Sequence, residues 1–316
     1  MKVAVVGPGA MGCLFAGLLK RSGVDVVIVD RRPDRSENIS GNGLSVTGIS
    51  GDFKTAVEAT CDTQAVAAAD FVFIWTKSYD TARAVESLPL DVGDNTLFVT
   101  LQNGVGNAEA IAEKYGAGRV LAGTTSEGAT LLGAGQVRHC GRGTTTVGAL
   151  EPANDDSARS LVQTLADAGF NTAITDNVQA AIWKKLIVNA AINPLTALLG
   201  VRNGRLVEIP AAREMLGKLA LEALHVAIAT DALETDFGAV ELVETVCENT
   251  ATNISSMLQD ILAGRRTEIS AINGAVASVA TSVGEAAPLN DTVARLVTAM
   301  EGREPYWKEE LAAAAD

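Results

Sequence analysis

The chain has 316 residues, of which 47% are hydrophobic and 20% are charged, and its formal net charge is −13. A chain of this length suits two domains better than one, and its composition is typical of a folded protein. The acidity argues against nucleic acid as a partner, because phosphate binding needs a basic surface.

Other classes of protein also lack support in the sequence. The four cysteines are scattered and show neither the spacing of a zinc site nor that of a disulfide framework. The chain opens on a strand pattern without room for a signal peptide, and no apolar run is long enough to span a bilayer. No hydrolase elbow and no metal-ligand cluster is found. We therefore expect a cytoplasmic protein without a metal site or a membrane partner.

The first part of the chain alternates between strand and helix patterns. Residues 2–6 form a valine-rich run typical of a buried parallel strand, and apolar residues then recur at helical spacing over 11–19. Further strands are predicted at 24–29, 71–75, 97–100 and 120–123, and further helices at 108–115 and 156–168. Residues 137–148 predict an antiparallel addition at the sheet edge. This alternation is typical of an α/β fold with a doubly wound parallel sheet.

The pattern of predicted secondary structure changes near Asp176 and Asn177. From about Val178 onward no strand is convincing, and helices are predicted at 209–230, 239–263, 267–283 and 291–300. We expect two domains, residues 1–176 with the parallel sheet and residues 177–316 with an all-α fold. The alanine-rich C-terminal tail is predicted to be a frayed helix. The apolar helices of the second domain suit a homodimer face as well as a core, so the oligomeric state stays open.

A glycine-rich turn links the first strand to the first helix. Gly7, Gly9 and Gly12 form G-x-G-x-x-G, in which the first glycine permits a tight turn, the second a close approach of backbone to a pyrophosphate, and the third close helix–strand packing. The helix N-terminus offers free N–H groups to phosphates. The placement at the start of a βαβ unit predicts a Rossmann-type dinucleotide site rather than an ordinary glycine-rich turn.

The second strand ends at Asp30-Arg31-Arg32, which leaves the choice of dinucleotide open. An acidic residue at this place accepts from the ribose 2′-OH of NAD(H), whereas an arginine can hold the 2′-phosphate of NADP(H). The arginines could equally be solvated surface residues. We favour NADP(H), with NAD(H) as the alternative.

A polar row runs along an apolar helix of the second domain. Lys185, Asn189 and Asn193 are spaced i, i+4 and i+8, so they fall on one face, displaced by about 40° per step. Burying such side chains is costly unless they face a cleft. A positioned ammonium can protonate the oxygen of a ketone during hydride transfer. The alternative is a lysine that reaches solvent and asparagines bonded to local backbone. The two histidines, His139 and His225, are expected to be structural.

Several motifs together resemble the ketopantoate reductase (2-dehydropantoate 2-reductase) family over essentially the whole chain. They occur in the family's order: GPGAMG at 7–12, TKSYDT at 76–81, LQNGVGN at 101–107, WKKLIVNAAINPLTAL at 183–198, RNGRL at 202–206 and NISSMLQDILAGRRTEISAINGAV at 253–276. The resemblance implies reduction of 2-dehydropantoate to (R)-pantoate by NADPH, with closure of a cleft between two domains.

The resemblance also implies a role for individual residues. Lys185 resembles the general acid. The residues that resemble substrate contacts are Asn103, Asn189, Asn193, Asn203 and Ser256. Those that resemble cofactor contacts are Gly7, Pro8, Gly9, Ala10, Met11, Gly12, Arg31, Lys77, Asn103 and Glu268.

Two other functions remain open on the sequence. Relatives of this fold reduce other branched or aromatic 2-oxo acids, and the sequence does not define the pocket for the substrate side chain. A dinucleotide-binding sensor without chemistry is the other alternative. The row that contains Lys185 argues against the sensor, because a sensor needs no acid there.

Overall fold

The computed structural model describes residues 1–235 and 237–301, which divide into two compact units. The first unit comprises Met1–Gln102 and Gly106–Ala181, and the second comprises Asn103–Val105 and the residues from Ile182 onward. The predicted C-terminal tail helix lies outside the described residues. Within the described part of the chain, no helix is both long enough and apolar enough to cross a membrane.

Twelve strands lie in the first unit and form two sheets. In chain order they are β1 (Lys2–Val6), β2 (Asp25–Val29), β3 (Leu44–Gly48), β4 (Phe53–Thr55), β5 (Glu58–Thr60), β6 (Phe71–Ile74), β7 (Leu97–Thr100), β8 (Val120–Thr125), β9 (Gly128–Gly133), β10 (Gln136–Gly141), β11 (Thr144–Ala149) and β12 (Asn171–Ile174).

Helices accompany the strands and make up the second unit. They are α1 (Ala10–Arg21), α2 (Pro33–Asn42), α3 (Thr81–Ser87), α4 (Asn107–Tyr115), α5 (Asp155–Asp167), α6 (Val178–Leu199), α7 (Arg205–Glu208), α8 (Pro210–Ala229), α9 (Ala239–Asn249), α10 (Ser256–Leu262), α11 (Asn273–Ser282) and α12 (Pro288–Met300).

The larger sheet has eight strands in the order β12-β11-β8-β7-β6-β1-β2-β5. From β8 to β5 every neighbouring pair is parallel. Strand order reverses at β1, whose neighbours are β2 on one side and β6 on the other, and this is the arrangement of a doubly wound sheet. The predicted fold class is therefore confirmed. Ligands of such sheets bind beyond the carboxyl ends of the strands at the point of reversal.

Apolar strands and the first helix form the core of the first unit. The side chains of β1, β6 and β7 are almost wholly buried, as expected for strands covered on both faces. Phe15 of α1 is fully buried, and its ring stacks on Phe170 with the centroids 4.2 Å apart. Gly23 adopts a positive φ of 96° directly after α1, as the helix-stop pattern predicts.

The prediction for residues 137–148 is wrong in two respects. Its first part is β10, which lies between β3 and β9 in a separate four-stranded sheet of order β4-β3-β10-β9. Its second part is β11, which does pair antiparallel with β8, but β12 occupies the edge. The chain changes sheets at Gly141–Gly143. A Cβ at Gly143 would lie 2.4 Å from the Ser126 carbonyl oxygen, so only glycine allows this change of direction.

A buried histidine joins segments around the smaller sheet. His139 Nδ1 lies 2.6 Å from Ser50 Oγ, and its Nε2 lies 2.6 Å from Glu127 Oε2. His139 and Glu127 are both buried. His139 therefore has the structural role expected for it, although the sequence did not indicate its two partners.

In the second unit, two predicted helices have different bounds. The predicted helix at 239–263 is divided into α9 and α10, because the residues between them pair with another loop: Asn203 N donates to Asn253 O and Gly204 N to Ala251 O. The predicted helix at 267–283 begins only at Asn273, after a short 3-10 turn. Ser255 caps α10 by accepting from Leu258 N, so the local signal for a new helix start is present.

The helix α6 continues through a proline. Pro194 lies inside its 22 residues. An interior proline costs a helix about 3 kcal/mol, because its ring removes one backbone donor and crowds the preceding turn. Tertiary contacts must therefore stabilise α6 at this point.

Candidate active site

The glycine turn after β1 is packed against the segment that follows β6. Gly7 has a φ of 96°, and a Cβ there would lie 2.9 Å from Thr76 N. A Cβ at Gly12 would lie 2.2 Å from the Gly7 carbonyl oxygen. Both positions therefore require glycine for reasons internal to the fold.

Gly9 differs from Gly7 and Gly12, because a Cβ at position 9 would meet only the Trp75 carbonyl oxygen, at 3.9 Å. Gly9 is the N-cap residue of α1 and has no side chain that could accept a hydrogen bond from the first N–H groups of the helix. These N–H groups point away from the helix and can bind another acceptor. Open space beside a helix N-terminus is what a pyrophosphate needs. The turn Gly7, Pro8, Gly9, Ala10, Met11 and Gly12 thus fits a dinucleotide.

The loop after β6 is fixed by a buried amide. Gln102 Nε2 donates to the Thr76 carbonyl oxygen at 2.6 Å and to Thr81 Oγ1 at 2.8 Å. Lys77 follows Thr76 directly and is half-buried. The structure therefore places Lys77 one residue from the backbone that contacts Gly7, at the carboxyl end of a strand beside β1. Gln102 was not predicted as a site residue, although it directly precedes the predicted site residue Asn103.

The Asp30 side chain points into the fold and pairs there with Arg35, which was not predicted as a site residue. Asp30 is buried and forms a two-pronged ion pair with Arg35 of α2, with Arg35 Nη2 2.6 Å from Asp30 Oδ1. This geometry is the most favourable one for an arginine–carboxylate pair. The only feature of the sequence that indicated this pair was the position of Arg35, five residues after Asp30 and near the start of a helix.

Arg31 points the other way. Its side chain is 65% exposed, and Nη2 lies 3.6 Å from Asp80 Oδ2, at the loop that follows β6. Arg32 is also exposed and pairs with Asp34. The Asp30 carboxylate is thus bound by Arg35 inside the protein, whereas the guanidinium of the next residue, Arg31, remains at the surface.

In the second unit, Lys185 lies on α6 among buried apolar residues. Burial lowers the pKa of its ammonium from 10.5 to about 8, and the negative charge of Glu268 acts in the opposite direction. Desolvation disfavours the charged form, so this lysine releases its proton more readily than a lysine at the surface. Its neighbour Lys184 is exposed and lies over the Phe237 ring at 5.3 Å.

Three other predicted residues of this unit lie side by side. Asn103 Nδ2 lies 3.4 Å from Glu268 Oε2, and Asn189 Nδ2 lies 3.4 Å from Asn103 Oδ1. These distances are longer than typical hydrogen bonds, so each contact is weak. Glu268 is also the charge that acts on the pKa of Lys185, so we treat these four side chains as one cluster, although 165 residues separate Asn103 from Glu268.

A glycine allows Asn103 to reach this cluster. Gly104 has a φ of 86°, and a Cβ there would lie 2.3 Å from the Ala271 carbonyl oxygen. The same carbonyl accepts from Val105 N at 3.3 Å. The loop that carries Asn103 is thus seated on the segment that carries Glu268, since Ala271 N in turn donates to the Glu268 carbonyl.

The remaining predicted substrate residues have different surroundings. Asn193 is buried, and its backbone carbonyl oxygen accepts a hydrogen bond from Thr196 Oγ1 at 2.8 Å. Asn203 is buried and donates to Thr250 Oγ1 at 2.8 Å, while its Oδ1 has no hydrogen-bond partner among the described residues. Such a buried acceptor is suited to a hydroxyl donor from a ligand. Ser256 is exposed at the start of α10.

Two family models match this chain. The one described as "Ketopantoate reductase PanE/ApbA" matches residues 3–152, and the one described as "Ketopantoate reductase PanE/ApbA C terminal" matches residues 177–301. A relative from Halobacterium salinarum named 2-dehydropantoate 2-reductase is 38% identical over 298 residues, which cover 94% of this chain and 98% of the relative.

Solved structures give a similar result. A PanE/ApbA family ketopantoate reductase from Ralstonia eutropha is 31% identical with a TM-score of 0.86, and the match covers 95% of this chain and 98% of that one. A D-mandelate dehydrogenase, solved with NADH and anilino(oxo)acetate, is 27% identical with a TM-score of 0.88 and the same coverage.

Substitution of Gly9 separates binding of the dinucleotide from folding. We expect Gly9→Ala to fold normally, because a methyl group there meets no protein atom closer than 3.9 Å. The methyl group would instead occupy the space beside the helix N-terminus, and we expect NADPH to bind at least about tenfold more weakly, or about 1.4 kcal/mol. Calorimetric titration measures the effect.

Gly41→Ala is the matched control, because it also adds a methyl group in open space of the same unit, within α2. It should leave the dissociation constant unchanged. Equal affinities of the two variants would show that Gly9 does not face the cofactor.

Proposed function

The chain belongs to the ketopantoate reductase family, and from this premise we propose that it reduces 2-dehydropantoate to (R)-pantoate with NADPH. The observation that carries the proposal is the cluster of Lys185, Glu268, Asn103 and Asn189. A half-buried lysine with a lowered pKa beside a carboxylate is suited to proton transfer rather than to surface charge.

The proposed cofactor site is the glycine turn with its surroundings. Gly7, Gly9 and Gly12 with the N-terminus of α1 would hold the pyrophosphate. Arg31 would hold the 2′-phosphate, and the engagement of Asp30 by Arg35 supports NADPH over NADH. When bound, NADPH supplies the hydride. Lys77 would lie near the nicotinamide, as the resemblance implies.

Lys185 is the proposed general acid. Reduction of a ketone builds negative charge on the carbonyl oxygen, and Lys185 Nζ would stabilise that charge and then give it a proton. A pKa of about 8 leaves the amine mostly protonated at neutral pH while keeping the proton easy to transfer. Glu268 favours the ammonium form, and Asn103 Nδ2 lies 3.4 Å from the Glu268 carboxylate.

Four further side chains are proposed to bind the substrate. Asn189 and Asn193 follow Lys185 along α6, and Asn203 offers a buried acceptor for a hydroxyl group. Ser256, which is exposed, would meet the substrate carboxylate. These polar groups suit a small 2-oxo acid that carries both a carboxylate and a hydroxyl.

The domain division is part of this proposal. We assign cofactor binding to residues 1–176 and substrate binding to residues 177–316, and the bounds of the two family models, 3–152 and 177–301, support that division. The cytoplasmic location and the homodimer stay predictions from the sequence.

A second candidate is a reductase for aromatic 2-oxo acids, because the D-mandelate dehydrogenase has the same fold with a TM-score of 0.88. Initial rates of NADPH oxidation with 2-dehydropantoate, other branched 2-oxo acids and phenylglyoxylate distinguish the two. We expect kcat/KM to favour 2-dehydropantoate by at least about a hundredfold, because a site built to bind a hydroxyl rejects analogues that lack it. A preference for phenylglyoxylate would establish the second candidate instead.

Removal of the proposed acid tests the reaction itself. We expect Lys185→Ala to lower kcat by about a thousandfold or more, because general acid catalysis and charge stabilisation are lost together. The affinity for NADPH should be retained. Lys184→Ala, which removes the exposed neighbouring lysine, is the control and should keep nearly full activity. If Lys185→Ala retains most of its turnover, another group is the acid.

The pH dependence of reduction follows from the lowered pKa. The acid must be protonated, so kcat/KM should be high below pH 8 and fall as the pH rises through about 8. Glu268→Gln removes the charge that favours the ammonium, so the falling limb should move to lower pH. Rate profiles of both proteins between pH 5 and 10 measure this, and a limb that stays in place would mean that Glu268 does not act on Lys185.

A further inference from the structure

Pro194 removes one hydrogen bond from the helix that carries the proposed acid. In an α-helix the N–H of each residue donates to the carbonyl four residues earlier, and proline has no N–H. The carbonyl left without that donor is Ala190, directly after Asn189. Ala190 has an exposure of 0%, so bulk water does not reach it. A buried carbonyl needs another partner.

Asn273 supplies that partner. Its Nδ2 donates to the Ala190 carbonyl oxygen at 2.8 Å, and Asn273 itself is fully buried at the first residue of α11. Its own Oδ1 has no hydrogen-bond partner among residues 1–235 and 237–301. Leaving a buried acceptor unpaired destabilises a protein, so the two hydrogen bonds that Asn273 Nδ2 donates must offset that cost.

A neighbouring network fixes the direction in which Asn273 points. Asn290 Nδ2 donates to Glu222 Oε2 at 2.7 Å, and the same carboxylate accepts from the backbone N–H groups of Leu289 and Asn290. Because the carboxylate is surrounded by donors, Asn290 must turn its Oδ1 toward Asn273, which donates to it at 2.9 Å. Both hydrogens of the Asn273 amide are thereby used.

We propose that Asn273 is a positioning residue for the reductase reaction, which replaces the hydrogen bond that Pro194 removes and so fixes Lys185 and Asn189 relative to Glu268. The proposal rests on the proposed function. Asn273 joins the two sides of the cluster, because it bonds to α6 beside Asn189 and lies five residues after Glu268. Ala271, between them, also holds the loop of Asn103.

A double-mutant cycle tests this replacement. Asn273→Ala leaves the Ala190 carbonyl unpaired, and we expect kcat to fall by about tenfold to a hundredfold, as small displacements of reacting groups do. The affinity for NADPH should be unchanged. In a Pro194→Ala background the backbone N–H at position 194 returns to Ala190, so the same change at Asn273 should lower kcat by no more than about threefold. The loss of Asn273 also leaves Asn290 Oδ1 without its donor, and because this cost is the same in both backgrounds, it cancels.

Pro210→Ala is the matched control background, because Pro210 is the first residue of α8 and removes no helical hydrogen bond. It should give no rescue. Equal losses of kcat in the wild-type and Pro194→Ala backgrounds, or full activity of Asn273→Ala, would overturn the proposal. The falling limb of the pH–rate profile should also move toward lower pH in Asn273→Ala and return in the double variant, which loss of packing alone would not produce.

Urea unfolding measures the contribution of this hydrogen bond to stability without any substrate. The four proteins are the wild type, Asn273→Ala, Pro194→Ala and the double variant. Asn273→Ala should lower the free energy of unfolding less in the Pro194→Ala background than in the wild type. If the wild type reduces no 2-oxo acid, the proposed function fails while this measurement still tests the hydrogen-bond replacement. If the wild type is active and the two losses of kcat are equal, only the role of Asn273 fails.

Discussion

Taking an ammonium out of water is the constraint on which the second unit of this protein depends. Burial alone pushes the Lys185 amine toward its neutral form, and Glu268 partly restores the charge. That balance holds only while the carboxylate stays at a fixed place. The close contact of Gly104 with Ala271 holds the loop of Asn103 against the segment that carries Glu268, and Asn103 Nδ2 lies 3.4 Å from the carboxylate.

Hydrophobic periodicity was sufficient to predict the central sheet and its first helix. β1 and β7 have the predicted bounds, because short apolar runs between polar turns are typical of buried parallel strands. The smaller sheet was missed. β4 has only three residues, Phe53–Thr55, and an alternation of half-buried and exposed side chains over so short a run carries almost no signal. It is held by pairing with β3, which is a tertiary contact.

Helix ends in the second unit show a similar limit. Apolar residues continue at helical spacing through 239–263, yet the chain leaves the helix after Asn249 because its next carbonyls pair with the loop at Asn203 and Gly204. No local pattern reports a partner some fifty residues away. Ser255, a helix-capping residue within that run, was the one available sign of a second start.

The residues of the candidate site also differ in whether local sequence spacing or only tertiary contacts could reveal them. The row of Lys185, Asn189 and Asn193 could be predicted because one helix carries it, and helical spacing is visible in a sequence. Asn103 and Glu268 were found only through the family resemblance, which the family models confirm. Arg35, Gln102 and Asn273 were not found, because each acts through a hydrogen bond to a residue whose position depends on the fold.

The inward pairing of Asp30 has an electrical consequence for a chain whose net charge is −13. Because the Asp30 carboxylate is buried against Arg35, it does not lie at the surface beside the exposed guanidinium of Arg31. A diffusing polyanion that the net negative charge repels would therefore be attracted toward Arg31 once it is near the end of β2. Since ions in solution screen such long-range attraction, added salt would slow capture of the nucleotide more than it loosens the short contacts made after arrival.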